Sequence, residues 1–228
     1  MPAWEMLNQE QHAGLRVSRA CDSQRHFAQI VADEFLSAMP HFPILFTKHP
    51  ETGAFYAGVV MGVEPGENLL TVDGALPDYR PADLERQGFF ITDGVVIIDR
   101  EHPAFDAPAG QALFEMDGSA APALKRVQQA LYTLEKGIPA TDAVIQRFLA
   151  HRLLEPIDVT LNFDDGKNVR LEGLYTVSLD ALHALPDAAV LELFRHGDLQ
   201  LAYAQAGSIR HLRTLGRIRN RRLLEAAL

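Results

Sequence analysis

The chain has 228 residues, of which 47% are hydrophobic and 22% are charged, and its formal net charge is −9. This composition is that of a folded globular protein and excludes general disorder. No stretch approaches the roughly 18 consecutive apolar residues that cross a bilayer, and the N-terminus lacks the pattern of a secretory signal. We therefore expect no transmembrane segment and a cytoplasmic location. The single cysteine, Cys21, cannot form an internal disulfide.

Positive charge is concentrated at the C-terminus, where the last 19 residues contain Arg210, Arg213, Arg217, Arg219, Arg221 and Arg222. Without these six arginines and Glu225, 15 basic residues remain against 29 acidic ones, a net charge of −14. This asymmetry predicts a basic terminal helix on an acidic body. The helix either contacts an acidic partner or pairs with the protein's own acidic surface. Nucleic acid is not expected as a partner, because the acidic body would repel a polyanion.

The N-terminal half is predicted to be rich in strands. Apolar spacing predicts a helix over residues 24–39. Two apolar runs, 43–48 and 55–63, are separated by a turn with proline and glycine, which predicts a hairpin, and residues 69–72 follow as a third strand.

A short helix and a second hairpin complete this half. Pro81 fixes the backbone for a first helical turn, and Gly88 is a suitable stop. Residues 89–92 and 95–99 flank an Asp-Gly pair, which is a strong signal for a tight hairpin turn.

The C-terminal half is predicted to be mainly helical. Residues 121–135 and 141–154 have helical spacing, with Thr141 as a cap for the second helix. One further hairpin is predicted from the alternation over 157–163 and 168–174.

Three helices are predicted after this hairpin, over 178–185, 187–196 and 198–224, with a break in the last near Gly207 or Gly216. Strands grouped early and helices grouped late favour an α+β fold. Its N-terminal half is built mostly from antiparallel hairpins, and its C-terminal half is helix-rich with one hairpin. We expect a single domain over residues 1–228 with an internal division near 110–120.

Motifs for catalysis and cofactor binding are not found. The chain has no glycine-rich phosphate loop and no nucleophile elbow. The nearest group of metal-ligand residues is Asp99, Glu101, His102 and Asp106, but no second histidine stands at a diagnostic spacing. We therefore assign no catalytic residue, and we expect neither a metal nor a cofactor.

A polar groove near the central helix is the candidate binding site. Asp73, Tyr79 and Arg86 could line it together. The alternative is that Tyr79 packs at the edge of the core while its hydroxyl finds a hydrogen-bond partner there.

Several segments resemble the SapC family of bacterial proteins. They are FPILFT, DGALPDYRPADLERQGFF and the long helical stretch from GLYTVSLDALHALPD to LQLAYAQAGSI, and the resemblance runs from about residue 8 to residue 215. Its most specific positions are Tyr79, Pro81, Ala82, Leu84, Arg86, Phe89, Gly173, Leu174, Leu182, Leu185, Gly197, Leu199, Tyr203 and Ser208. Leu76 stands where such proteins tend to have an aromatic residue.

The resemblance implies a non-catalytic binding or accessory protein that recognises a peptide or another protein. It associates such proteins with TonB-dependent receptors, flavin-dependent halogenases and cupin-like oxygenases. Two alternatives stay open. One is a metal-dependent, oxygenase-like enzyme around residues 99–106 and 79–86, and the other is a surface-layer or cell-envelope component, to which the family name refers.

Overall fold

A computed structural model describes residues 3–105 and 109–226. It has an α+β fold with antiparallel sheets and a helix-rich C-terminal half, which confirms the predicted class. The chain forms two compact units, one from residues 1–24 and 71–136 and the other from residues 25–70 and 137–228. The organisation as a single domain stays a prediction.

The strands are β1 (Trp4–Met6), β2 (Arg16–Val17), β3 (Phe27–Gln29), β4 (Ile44–Lys48), β5 (Phe55–Val60), β6 (Phe89–Thr92), β7 (Val95–Asp99), β8 (Gln111–Ala112), β9 (Leu154–Pro156), β10 (Val159–Asn162), β11 (Asn168–Leu171) and β12 (Leu174–Val177). The α-helices are α1 (Gln9–His12), α2 (Phe35–Ala38), α3 (Ala82–Glu85), α4 (Pro122–Ala150), α5 (Leu179–His183), α6 (Asp187–His196), α7 (Asp198–Ser208) and α8 (His211–Ala226). Short 3₁₀ helices lie at Ala20–Gln24, Ala32–Glu34 and Pro103–Phe105.

The first unit contains an antiparallel sheet in the order β1-β7-β6 and a small pair, β2 and β8. The predicted hairpin of β6 and β7 is confirmed, and its turn residues Asp93 and Gly94 have φ angles of 51° and 76°. Two consecutive positive φ angles are what the tightest hairpin turn requires. The helix after Pro81 is also confirmed as α3, and Gly88 follows it with a φ of 80°.

The core of the first unit lies on one face of this sheet. Phe89 and Ile98 are directly paired across β6 and β7, and both are fully buried. They pack with Leu15, Phe105, Leu113, Ala123, Leu124, Val127 and Leu131. Alternation along the strands therefore sends one set of side chains into the core and the other set to the opposite face.

The second unit is organised by a five-stranded antiparallel sheet in the order β3-β5-β4-β12-β9. The predicted hairpin of β4 and β5 is confirmed, and so is the two-stranded hairpin of β10 and β11. The sheet joins the early strands to β9 and β12, which come from the C-terminal half of the chain.

Aromatic packing fixes one face of this sheet. Phe46 on β4 lies 6.3 Å from Phe35 and 6.1 Å from Phe148, centroid to centroid, and all three rings are buried. The opposite face carries Leu45 and Val60, which pack with Val63, Leu69, Phe163, Leu171, Leu212 and Leu215.

A buried glutamine on α7 ties β4 to β12. The backbone pairing of these strands is described at Leu174 with Thr47 and at Tyr175 with Phe46. Further along, the Gln205 side-chain amide donates to the Ile44 carbonyl at 2.8 Å, and its oxygen accepts from the Val177 N–H at 2.9 Å. Gln205 thus continues the ladder through its side chain and fixes α7 against the sheet.

Ser208 strengthens the same junction. Its hydroxyl donates to the Gln205 carbonyl at 2.6 Å and accepts from the Ile44 N–H at 2.9 Å. Both side chains are completely buried, so each of these bonds satisfies a group that water cannot reach.

The predicted helix over residues 24–39 is wrong. The segment forms β3, then the 3₁₀ turn at Ala32–Glu34 and the single turn α2. Pairing of β3 with β5 overrides the helical spacing, and the Glu34 carboxylate accepts from the Val31 N–H at 3.0 Å to start the turn. The sequence pattern of a short buried apolar segment is similar for a helix and for a strand followed by a turn, so periodicity alone does not distinguish them.

The predicted strand at residues 69–72 is also wrong. Leu69 and Leu70 lie in a turn, and Val72 forms only an isolated bridge with Ala75 across Asp73 and Gly74. Arg222 donates to the Leu69 carbonyl at 3.0 Å. A side chain from distant sequence therefore takes the position that a neighbouring strand would take.

The two predicted helices over 121–135 and 141–154 form one helix, α4, which contains Pro139. Thr141 does not cap a second helix. Its hydroxyl donates to the Gly137 carbonyl at 2.7 Å and accepts from the Ala32 N–H at 2.8 Å. Proline removes only its own N–H, so one helical bond is lost while the apolar residues on either side stay packed.

The last three predicted helices are confirmed, with the third divided. Ser178 caps α5 through a hydrogen bond from the Ala181 N–H. Gly197, with a φ of 79°, ends α6, and the break between α7 and α8 falls just after Gly207.

Gln205→Leu tests the junction between α7 and the sheet. We expect a loss of about 3 kcal/mol in the free energy of unfolding, because the Ile44 carbonyl and the Val177 N–H lose their partner inside the core. Gln200→Leu, at an exposed position of the same helix, should change stability by no more than about 0.5 kcal/mol. Urea unfolding measures both, and equal effects of the two substitutions would contradict this role.

Candidate functional site

An open cleft of about 530 Å³ lies in the second unit. Its volume falls within the range of roughly 300–1,000 Å³ that is typical of ligand pockets. Its lining residues are His26, Phe27, Thr47, Tyr56, Val60, Gly62, Val63, Pro65, Arg170, Leu171, Glu172 and Leu174.

The floor of the cleft is one face of the five-stranded sheet. Tyr56 and Leu174 are both direct cross-strand partners of Thr47, so the three side chains share a face. The Phe27 ring meets the Tyr56 ring edge-on, with 5.9 Å between centroids. The floor is therefore aromatic and aliphatic, with two hydroxyl groups.

Gly58 makes room for the Phe27 ring. A Cβ atom at Gly58 would stand 2.1 Å from Phe27 Cζ and 2.7 Å from the Ala28 carbonyl oxygen. Any larger residue on β5 would push the ring away from the position where it lines the cleft.

The loop that follows β5 forms another wall. The Glu67 carboxylate accepts from the Val63 N–H at 2.9 Å and from the Glu64 N–H at 3.1 Å. A Cβ atom at Gly62 would lie 2.3 Å from the Glu67 carbonyl oxygen, so glycine is needed for this close approach. The loop is thus closed on itself by one carboxylate.

Helix α8 holds this loop from outside. Arg219, which is 7% exposed, pairs with Glu64 at 2.8 Å and lies over the Phe163 ring at 4.4 Å. Arg222 donates to the Asn68 carbonyl at 3.2 Å. These two C-terminal arginines therefore pair with the protein's own loop, as one of the two sequence interpretations states. Contact of the basic helix with an acidic partner stays a prediction.

The charges at the cleft largely compensate one another. Arg170 lies 3.4 Å from Asp158 and 4.0 Å from Glu172, in exposed pairs. Burial, reinforced by the nearby Arg25, lowers the pKa of His26, so the imidazole is mainly neutral at pH 7. The cleft therefore offers apolar area and hydrogen-bonding groups without a strong field of either sign.

The residues predicted for binding lie elsewhere. Asp73, Tyr79 and Arg86 belong to the first unit, and none of them lines the cleft. Asp73 is exposed in its turn with a φ of 51°. Arg86 donates to Asp83 at 2.6 Å and lies over the Phe90 ring at 5.3 Å.

The neighbours of these predicted residues form a buried cluster of charges. Arg80 binds Asp22 with two bonds of 2.8 Å, and Gln87 donates to the same carboxylate at 2.7 Å. Asp22 is fully buried and Arg80 is 9% exposed. A bidentate pair of this kind fixes the segment before α3 against the N-terminal segment.

Glu85 extends the cluster. It accepts from Arg80 at 2.7 Å, from Arg19 at 3.0 Å and from Arg126 at 3.1 Å. Burial acts to raise the pKa of Glu85, but Arg80 and then Arg19 outweigh it, so the pKa lies below its usual value. The pairing explains these charges as internal structure of the first unit.

The candidate metal ligands are occupied locally. Asp99 accepts from the Ala3 N–H and the Glu101 N–H, each at 3.2 Å, and His102 accepts from the Ala104 N–H at 3.1 Å. Asp106 lies outside the described residues. Within residues 3–105 and 109–226, no three histidine, cysteine or acidic side chains are grouped as a metal site would require.

The fold is α+β, and its second unit carries a nearly neutral, aromatic-lined cleft. The chain belongs to the SapC family, whose family model matches residues 7–215, and this confirms the resemblance drawn from the sequence. No curated protein and no solved structure matches the chain. Among the described helices, none is long and apolar enough to cross a bilayer.

The cleft residues were missed because their signal is not local. Apolar spacing predicts a helix at Phe27, and Leu174 lies far from Tyr56 in sequence. Only the sheet order reveals that these side chains meet. Gly58 and Gly62, two glycines inside and just after an apolar strand, were the available signal of close backbone approach.

Arg80→Met tests whether the buried charge cluster is structural. We expect a loss of about 3–5 kcal/mol in the free energy of unfolding, because Asp22 stays buried without its bidentate partner. Arg170→Met removes an exposed pair and should cost no more than about 1 kcal/mol. Thermal and urea unfolding measure both, and similar losses in the two variants would contradict the buried role.

We expect two histidines, His26 and His211, to make stability fall under mild acid. Burial lowers the pKa of both His26 and His211 from the usual 6.5, so below pH 6.5 the unfolded chain binds protons that the folded protein resists. The free energy of unfolding should therefore decrease as the pH falls from 6.5 toward the lowered pKa values. In the double variant His26→Gln/His211→Gln, the urea-unfolding midpoint should change less with pH over this range than it does in the parent. An unchanged slope would contradict the assignment.

Proposed function

We propose that this protein is a non-catalytic accessory protein that binds a peptide segment of a partner in the cleft of its second unit. The observation that carries the proposal is the concave, nearly neutral surface around Phe27, Tyr56 and Leu174. It combines aromatic rings with a few hydrogen-bonding groups, which is the usual composition of a recognition site.

The polar groups of the cleft are suited to binding rather than to chemistry. The Thr47 hydroxyl donates to the Gly173 carbonyl at 3.0 Å. An activated nucleophile would donate its proton to a general base, whereas the Thr47 proton is donated to a backbone carbonyl. His26 keeps a neutral ring that can donate to or accept from a ligand.

Size and charge favour a short peptide segment as the ligand. A volume of about 530 Å³ accommodates a few side chains, and the sheet floor provides aromatic edges for an apolar one. Because Arg170 is paired with Asp158 and Glu172, the cleft has no concentration of positive charge for a polyanion.

The family resemblance and the sequence support a cellular setting for this role. We propose a cytoplasmic location and a partner among the family's companions: TonB-dependent receptors, flavin-dependent halogenases and cupin-like oxygenases.

Tyr56→Ala tests the proposed cleft. Peptides that bind the parent protein are first selected from a random heptapeptide array and labelled with fluorescein. Their affinity for Tyr56→Ala should be at least about tenfold lower than for the parent, because removal of a central aromatic contact costs more than about 1.4 kcal/mol. Tyr132→Ala, at a 57% exposed tyrosine of α4, is the matched control and should leave binding unchanged.

Fluorescence polarisation measures the affinities, and unfolding midpoints verify that both variants fold. The proposal fails if no peptide on the array binds, or if selected peptides bind the two variants equally.

A further inference from the structure

Within the described residues, the sheet of the first unit ends in the strand β1, whose outward backbone groups meet no partner strand. The Leu7 N–H donates to the Val96 carbonyl and the Arg100 N–H donates to the Ala3 carbonyl, both at 2.9 Å. With the antiparallel register of β1 and β7, these bonds direct the backbone groups of Ala3, Glu5 and Leu7 toward β7.

The alternate residues, Trp4 and Met6, therefore direct their N–H and C=O groups away from the sheet. The Asn8 amide donates to the Met6 carbonyl at 3.3 Å. Within the described residues, the Trp4 N–H and carbonyl and the Met6 N–H meet no partner strand, since β1 is the terminal strand of the order β1-β7-β6. An edge of this kind is a template for one more strand.

The outer face of the same sheet carries an apolar patch, and Asp99 and Thr92 lie on the same face. Trp4 is 51% exposed and Met6 is 60% exposed, and the register places them on one face with Phe90, Val95 and Ile97. The Trp4 ring lies edge-on to Phe90, with 4.6 Å between centroids. Since the opposite face already buries the core, an apolar patch on the second face is unusual for a solvated antiparallel sheet.

Charge discriminates between the strands that could pair with β1. Glu5 points to the other face and lies 3.0 Å from His12. If two copies paired through β1 with Trp4 opposite Met6, Glu5 would stand directly opposite Glu5, and like charges in that position are destabilising. A strand with a basic residue opposite Glu5 and apolar residues beside it meets both requirements.

We propose that β1 is a docking edge for an extended segment of another protein with the pattern apolar, basic, apolar. The segment adds a strand to the sheet through the outward groups of Trp4 and Met6, its apolar side chains cover the exposed face, and its lysine or arginine meets Glu5. This surface lies in the first unit and is separate from the cleft.

Trp4 is the single tryptophan of the chain, so its fluorescence reports on this edge directly. The probe is a capped peptide, Ser-Thr-Val-Lys-Val-Thr-Ser, titrated into the intact protein. We expect a saturable blue shift of Trp4 emission as the peptide covers the ring. The same peptide with glutamate in place of lysine should bind at least tenfold more weakly.

Met6→Pro isolates the backbone contribution, because it removes an outward N–H and leaves the bonds from β1 to β7 in place. It should abolish the shift, whereas Met116→Thr, which removes a fully exposed methionine outside β1, should leave the shift unchanged. If Met6→Pro does not fold, the two valines of the peptide are N-methylated instead. This removes the peptide N–H groups that would bond to β1, and it should also abolish the shift.

Several results overturn the proposal: no saturable shift, equal binding of the lysine and glutamate peptides, or an unchanged shift in Met6→Pro or with the N-methylated peptide. Sedimentation that shows a dimer lost in Met6→Pro would assign the edge to a second copy instead. Tyr56→Ala should not alter the shift, so failure here and failure of the cleft proposal are distinguishable.

Discussion

The side chain of Gln205 is the contact on which the second unit depends. It fills a place in the ladder between β4 and β12, since it bonds the Ile44 carbonyl and the Val177 N–H at once. These strands come from opposite halves of the chain, so one amide joins the early hairpin, a late strand and α7. Because Ile44, Val177 and Gln205 are buried, a shift of this amide would leave the Ile44 carbonyl and the Val177 N–H without their partner, which favours a single arrangement.

The cleft is a consequence of this arrangement. Once β12 lies beside β4, Leu174 comes next to Thr47, whose neighbour on the other side is Tyr56, and the floor is complete. Arg219 then holds the loop that forms a wall. From the sequence, the basic C-terminus could be interpreted either as a surface for a partner or as a helix that pairs with the protein's own acidic surface. In the structure, two of its arginines, Arg219 and Arg222, stabilise the loop after β5. The desolvation penalty of the Arg219 ion pairs is small, because their carboxylates lie at the edge of solvent rather than in the deep interior.

Sequence reasoning succeeded where the determinants are local. The Asp-Gly turn at Asp93, the helix start at Pro81 and the stop at Gly197 each depend on backbone preferences of the residues themselves. It failed where a distant group decided the outcome. Residues 27–29 became a strand because β5 lies beside them, and Pro139 stayed inside a helix because packing on both sides holds the helix together. The proposed binding residues Asp73, Tyr79 and Arg86 lie in the first unit, and their role in binding stays a prediction.

By itself the sequence determined the α+β class, the hairpins, the terminal helices and the family, because turn chemistry, apolar periodicity and characteristic segments are properties of short stretches of chain. Only the tertiary structure decided that β12 joins the first hairpin, that a cleft opens over Phe27 and Tyr56, and that β1 exposes an apolar edge. Strand order depends on contacts between residues more than a hundred positions apart, and no local preference specifies which distant strand becomes the neighbour.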